Sequence, residues 1–272
     1  FVSMCLGMLM GVGVANLFTW GMDEENLLAW GWRIPFILGL LIGFVGLYIR
    51  LHLDESPIYK AAKAAGFLSA TPLRETLIKH WRKVLMAIAV YINVTAPFYT
   101  TTVFMKYYMQ TLGYSEHEGS TVCAIILITM SIFFPISAYI SDRIGRKPVI
   151  ICASVMLILT MYPIFLALNS MNYTIAILSQ ILFSAIVGIY MGPVPTLLVE
   201  LFPTRVRFTG VALSYNLSAV IFGGFTPAIG VYLYKHTGDQ LALSYYLTGL
   251  AIFCLIIISF YKETYKNDLS AE

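Results

Sequence analysis

Long apolar runs separated by short polar segments make up almost the whole chain. Eight runs come close to the roughly 20 residues that a helix needs to cross a hydrocarbon core about 30 Å thick. Because backbone polar groups in lipid must be satisfied internally, and because the runs are too long for barrel strands, each is predicted to be an α-helix. The predicted spans are residues 1–20, 33–51, 84–108, 120–140, 148–168, 173–199, 209–234 and 242–261.

Composition supports a membrane location. Of the 272 residues 59% are hydrophobic and 11% are charged, whereas an ordinary soluble domain is about 25% charged. The pattern therefore predicts an all-α integral membrane protein with the lipid bilayer as its surroundings. The net charge of +3 gives no reason to expect a nucleic-acid partner. The four cysteines lie in apolar runs without a CxxC pair, so neither a disulfide framework nor a metal site is indicated.

Basic residues fall almost entirely at one end of the predicted spans. Of the 17 Lys and Arg residues, all but Arg33, Lys106 and Lys235 lie in connections on the same side. By the positive-inside rule this side is predicted to be cytoplasmic. Connections rich in Lys and Arg alternate along the chain with connections that are poor in them, as a count of eight spans requires. This alternation supports the eight predicted spans independently of hydropathy.

One connection, residues 52–83, is much longer and more polar than the others. It predicts a division into residues 1–51 as the last two helices of an N-terminal bundle and residues 84–261 as a six-helix C-terminal bundle, as in two-bundle transporters. Residues 52–83 would be a cytoplasmic linker, and residues 262–272 a cytoplasmic tail. The linker is expected either to form short amphipathic helices on the inner leaflet or to be a solvated loop.

Residues 141–147, SDRIGRK, concentrate charge between two spans. Gly145 would permit a tight reversal, Pro148 would lie in the first turn of the next helix, and Asp142 can lie near the N-terminus of that helix. The basic side chains could pair with acids at neighbouring helix ends or with lipid phosphates; they are Arg143, Arg146 and Lys147. The turn either clamps two helices together or only enforces topology by its charge.

A second polar connection at the same end reads ELFPTRVRFTG, residues 200–210. Glu200 ends one predicted helix, and Arg205 and Arg207 lie in the turn that follows. If the helix ends are neighbours, Glu200 could form a charge-assisted pair with Arg143 or Arg146. The alternative is an isolated acid at the membrane interface.

No ionisable residue lies at mid-depth in the last six predicted spans, where a charge would mark an ion or proton pathway. Neutral polar and aromatic groups lie there instead. Aromatic faces suit a quaternary ammonium group and hydroxyls and amides suit a carboxylate, so these residues are candidates for binding a zwitterion. Packing is the alternative role for each. The candidates are Tyr91, Asn93, Thr95, Tyr99, Gln180, Tyr190, Tyr215 and Asn216.

DRIGRK, residues 142–147, resembles the D-R-x-G-R-K/R signature loop of the major facilitator superfamily, which joins the second and third helices of each half. Ala138 stands where that motif usually has glycine. Three further motifs, together with ELFPTRVRFTG, resemble the metabolite:proton symporter branch, most closely the proline/betaine transporters. They are WGWRIPF at 30–36, DESPIY at 54–59 and FGGFTPAIG at 222–230.

The resemblance implies a twelve-helix transporter of which these eight spans are helices five to twelve. Four further helices would then be needed for activity and would hold any proton-coupling carboxylate. It also implies a transporter rather than an enzyme, with no cofactor beyond the proton gradient, in the plasma (inner) membrane. The expected function is symport of a small organic solute with protons, with proline or glycine betaine as the solute. The alternatives are a carrier of a dicarboxylate or related anion, and a membrane fragment that does not transport.

Overall fold

A computed structural model describes residues 1–54, 60, 64–66 and 69–263; DESPIY beyond Asp54 and the predicted tail beyond Glu263 lie outside the described residues. Within these residues the chain is helical and has no strand. All eight predicted spans are present as helices long and apolar enough to cross a membrane, and we label them α1 to α8. They are Val2–Gly21, Gly31–His52, Trp81–Leu112, Glu116–Ile144, Arg146–Leu168, Tyr173–Leu201, Arg207–Thr237 and Ala242–Ser259.

Four of the spans are not uniform α-helices. Span α2 begins with the 3-10 turn Gly31–Arg33 and continues as Ile34–His52. Span α6 breaks at Gly192 and Pro193, between Tyr173–Met191 and Val194–Leu201. Spans α3 and α7 each contain a wide π turn; these turns are Thr100–Phe104, between Trp81–Tyr99 and Met105–Leu112, and Ala219–Gly224, between Arg207–Ser218 and Phe225–Thr237.

Spans α3 to α8 form one bundle with a continuous buried core. Span α6 packs between α4 and α5, α8 packs against α5 and α3, and α7 packs along α3. Span α1 packs against α4, where the rings of Phe1 and Phe134 are 5.6 Å apart. The helix Ile34–His52 of α2 has no buried residue. Span α1 also contributes Cys5 to the buried core, so the division into two bundles at residues 52–83 stays a prediction.

Spans α4 and α6 approach each other closely enough for backbone contact. A Cβ atom added at Gly192 would lie 2.8 Å from the backbone nitrogen of Ala138 and 2.8 Å from the carbonyl oxygen of Phe134. The hydroxyl of Ser137 donates a hydrogen bond to the carbonyl of Ile189 across the same crossing. Ala138, the position that departs from the signature motif, is therefore part of a crossing that requires small residues.

The connection predicted at SDRIGRK is shorter than the sequence suggests. Span α4 continues through Ile144 and α5 begins at Arg146, so only Gly145, with φ of 102°, lies between the two helices. Asp142 therefore lies in the last turn of α4 and not at the N-terminus of the next helix. In the described part of the linker, Pro72–Lys79 forms a short helix that packs against α7 and buries Thr76.

Candidate functional site

A buried ion pair joins the two polar connections at the basic end of the bundle. The guanidinium of Arg146 lies 3.3 Å from the carboxylate of Glu200, and the two side chains are 8% and 6% exposed. Arg146 also donates to Asp142 and, over 3.2 Å, to the hydroxyl of Ser141. Arg146 therefore holds together the end of α4, the start of α5 and the basic end of α6.

Arg143, the other partner considered for Glu200, points elsewhere. Its guanidinium carbon lies 4.4 Å from the ring centroid of Tyr139, one helical turn earlier, and it donates to the hydroxyl of that tyrosine. Arg143 is exposed, while Arg146 is buried. The pairing with Glu200 is therefore made by Arg146.

Glu263 closes the N-terminus of α5 from the far end of the chain. Its carboxylate accepts a hydrogen bond of 2.8 Å from the backbone N–H of Lys147, and it lies against Gly145. The ammonium of Lys147 donates in return to the carbonyls of Ser259 and Tyr261, at 2.8 and 2.7 Å. Span α5 has no cap from its own N-cap residue, so Glu263 supplies the carboxylate that a helix N-terminus favours.

Replacing Glu263 with alanine is expected to lower the free energy of unfolding by about 1 kcal/mol, the usual effect of removing a helix cap. Unfolding can be followed by titration with SDS in mixed micelles. Glu263→Gln keeps an oxygen acceptor, so it should lower the free energy of unfolding by only about half as much as the alanine variant. Equal stability of the wild type and the alanine variant would contradict the cap.

The connection after α6 is tied to the linker helix. Arg205 donates to Glu75 over 3.1 Å, and Lys79 lies 3.6 Å from the same carboxylate. A hydrogen bond from Ser69 lowers the pKa of Glu75, and the charges of Arg205 and Lys79 lower it further, against the opposing effect of desolvation. Arg207 instead donates to the carbonyl of Phe202 and does not join the Arg146 cluster.

An aromatic cavity of about 70 Å³ lies deeper in the structure, where α1 meets α3 and α7. The rings of Tyr91 and Tyr215 meet edge to face across it, with centroids 5.1 Å apart. Thr95 lines it and shares a hydrogen bond of 3.2 Å with the hydroxyl of Ser218. None of the described lining side chains is charged; they belong to Phe1, Met4, Tyr91, Val94, Thr95, Phe98, Tyr99, Met191, Tyr215 and Ala219.

The cavity contains four of the eight residues predicted to bind a solute: Tyr91, Thr95, Tyr99 and Tyr215. Three of them, Tyr91, Thr95 and Tyr99, recur about one helical turn apart on α3, and this spacing is what predicted that they share one face. Phe1 and Met4 were missed because a plain apolar residue in a membrane span carries no signal of its own. Their position can be known only from the packing of α1.

The other four predicted residues lie away from the cavity. The hydroxyl of Tyr190 donates to the backbone carbonyl of Val90 over 2.8 Å, in the fully buried contact between α6 and α3. Asn93 and Gln180 are also fully buried, and their side-chain amides have no hydrogen-bond partner in the described part of the chain. Asn216 is exposed and donates to a carbonyl of its own helix.

Comparison with known proteins decides the family. The model of the Major Facilitator Superfamily matches the chain in two overlapping stretches, residues 1–220 and 85–270. The chain belongs to the major facilitator superfamily. It is therefore a multi-pass membrane protein, and Arg146 of its basic-end ion pair lies in the turn that resembles the superfamily's signature loop.

Within the superfamily, the chain is 32% identical to the "Glycine betaine/proline/ectoine/pipecolic acid transporter OusA" of Dickeya dadantii and 30% identical to the "Proline/betaine transporter" of Escherichia coli K12. Each alignment covers 97% of this chain and 54% of the relative, so the chain spans about half the length of these proteins. Among solved structures, a double-tryptophan mutant of XylE matches the fold with a TM-score of 0.77 and 19% identity, over 99% of this chain and 64% of that one.

Proposed function

We propose that this chain forms part of a secondary transporter that carries a zwitterionic solute such as proline or glycine betaine together with protons. The observation that carries the proposal is the uncharged aromatic cavity between α1, α3 and α7. A quaternary or secondary ammonium group is attracted to aromatic faces. The names of the sequence relatives support the same class of solute.

The cavity also offers groups for the carboxylate of such a solute. The phenol hydroxyls of Tyr91 and Tyr215 donate no hydrogen bond to another described residue, so they are available as donors to a carboxylate. A dianion would instead call for an arginine or lysine at this depth, and the described lining contains neither. The geometry therefore favours a net neutral solute over a dicarboxylate.

The ion pair of Arg146 and Glu200 is proposed to act as a gate at the end of the transport path. It lies at the basic end, which the positive-inside rule assigns to the cytoplasm. Such a pair between helix ends can break as the two bundles of a transporter rock around the site. In this proposal the linker and the C-terminus are cytoplasmic and the membrane is the plasma membrane.

Uptake of labelled glycine betaine and proline tests this function, in proteoliposomes that contain the whole transporter of which this chain is proposed to be a part and that have an imposed pH gradient. We expect accumulation that a protonophore abolishes. Accumulation that a protonophore does not reduce would contradict proton symport. If a dicarboxylate were taken up and betaine were not, the proposed class of solute would be wrong. No uptake of any of these solutes would contradict transport itself.

Replacing Tyr215 with leucine is expected to weaken betaine binding about tenfold, because one aromatic face contributes roughly 1.4 kcal/mol to a desolvated cation. The apparent affinity is measured as the betaine concentration for half-maximal uptake. Tyr162→Leu is the matched control, because Tyr162 stacks on Tyr245 with centroids 6.0 Å apart and does not line the cavity. Equal affinities of the two variants would exclude Tyr215 from the site.

A further inference from the structure

A groove of about 440 Å³ lies between α3, α7 and α8, on a face of the bundle that the aromatic cavity does not use. Its walls are apolar and include Leu85, Ile92, Phe222 and Phe253. Leu85 and Phe253 are about half exposed, at 55% and 47%. Because these spans cross the membrane, a groove of this kind opens toward the acyl chains of lipid.

The length of the groove matches one leaflet of a bilayer. On α3 it extends from Trp81, the first residue of the span, to Ile92. These eleven steps of 1.5 Å correspond to about 16 Å along the helix axis. Half of a hydrocarbon core about 30 Å thick is about 15 Å. The groove thus starts at the basic-end interface and ends near the bilayer centre.

Arg82 supplies a single charge at the interfacial mouth of the groove. Its guanidinium carbon lies 5.4 Å from the ring centroid of Trp81, and it forms no salt bridge within the described residues. A tryptophan and an arginine at the end of a span are typical of the headgroup level. The mouth therefore combines an interfacial aromatic ring with a cation that pairs with no carboxylate of the described residues.

We propose that the groove binds one anionic phospholipid of the basic-end leaflet. An acyl chain lies along Leu85, Ile92 and Phe253, and the phosphate and anionic headgroup face Arg82. An apolar helix in the same place would cover the walls but would leave the guanidinium of Arg82 facing hydrocarbon side chains, which is costly. A phospholipid satisfies both the apolar walls and the charge.

Quenching of Trp81 fluorescence by brominated lipid tests the site directly. The protein, with Trp20, Trp30 and Trp32 each replaced by phenylalanine, is placed in nanodiscs of phosphatidylcholine. Either phosphatidylglycerol or phosphatidylcholine with brominated acyl chains is then added at equal mole fractions. We expect phosphatidylglycerol to quench with about fivefold higher apparent affinity, the usual effect of one basic residue near the membrane surface.

Arg82→Gln should reduce that preference to the level of phosphatidylcholine. Lys83→Gln is the matched control, because it removes the same charge one residue later from a side chain that does not line the groove. Equal loss in both variants would show a diffuse surface attraction and would overturn the site. Equal quenching by both brominated lipids, or no quenching by either because another helix covers Trp81, would also overturn it.

Discussion

Replacing Arg146 with alanine is expected to lower the free energy of unfolding by about 3–5 kcal/mol, the usual effect of breaking a buried ion pair by removing one of its two members. Glu200 would keep a carboxylate that is 6% exposed and would lose the guanidinium 3.3 Å away. The variant would also lose the hydrogen bond to Ser141 and the pair with Asp142. SDS titration in mixed micelles measures the change.

Arg143→Ala is the control for charge removal in the same turn. Arg143 is exposed and contacts the ring of Tyr139, so its replacement should lower the free energy of unfolding by no more than about 1 kcal/mol. Replacing both Arg146 and Glu200 with methionine should recover most of the stability lost in Arg146→Ala, because both charges of the buried pair are then replaced by apolar side chains. Equal effects of the two single arginine variants would contradict a special role for Arg146.

The same double variant separates a gate from a structural clamp. If the pair only stabilises the fold, the methionine double variant should transport at the wild-type rate once it is folded. If the pair holds one state of the transporter, the double variant should shift the balance between states and change the rate of uptake although its stability is nearly normal. Uptake per folded molecule in proteoliposomes distinguishes the two outcomes.

The spans could be predicted from the sequence because lipid leaves few alternatives to a helix wherever about 20 apolar residues follow one another. The family could be predicted because DRIGRK resembles the signature loop of the superfamily and ELFPTRVRFTG resembles a motif of its metabolite:proton symporter branch. Tyr91, Thr95 and Tyr99 could be assigned to one face because helical periodicity alone places them there. Each of these inferences needs only one continuous stretch of sequence.

The features that the sequence did not predict depend on contacts between distant segments. Glu263 caps α5 from 116 positions further along the chain, and Glu75 holds Arg205 from the linker. Nothing in either local sequence distinguishes these acids from solvated ones. For Tyr190 the sequence predicted a role that its contacts do not require. A polar aromatic residue in a span suggested solute binding, but its hydroxyl donates a hydrogen bond that joins α6 to α3.

The Arg146 cluster and the crossing of α4 with α6 share the same helices. Span α4 carries Asp142 at its end and Ala138 one turn earlier, and α6 carries Glu200 at its end and Gly192 two turns earlier. Arg146 begins α5 and is separated from the end of α4 only by Gly145. Its pair with Glu200 can therefore be short only if the end of α4 is held close to α6, and the small residues at the crossing set that separation. Changes at the crossing should therefore also weaken the ion pair.

Replacing Gly192 with alanine is accordingly expected to destabilise the protein by about 2–3 kcal/mol, in the upper part of the range for overpacking. The new Cβ would lie 2.8 Å from atoms of Phe134, Ser137 and Ala138, and two of these are backbone atoms that cannot rotate away. Gly192 has φ of −55°, so its backbone conformation suits alanine and any loss of stability comes from crowding.

Gly249→Ala in α8 is the matched control for this substitution. A Cβ at Gly249 meets nothing within 4 Å, so alanine should be neutral there or stabilise the helix by up to about 1 kcal/mol. Both variants can be compared by SDS titration and by the yield of monodisperse protein after extraction. If Gly192→Ala matched Gly249→Ala, the close crossing of α4 and α6 would be wrong. If only Gly192→Ala lost stability and also weakened the effect of a second Glu200→Gln substitution, the crossing and the ion pair would be shown to act together.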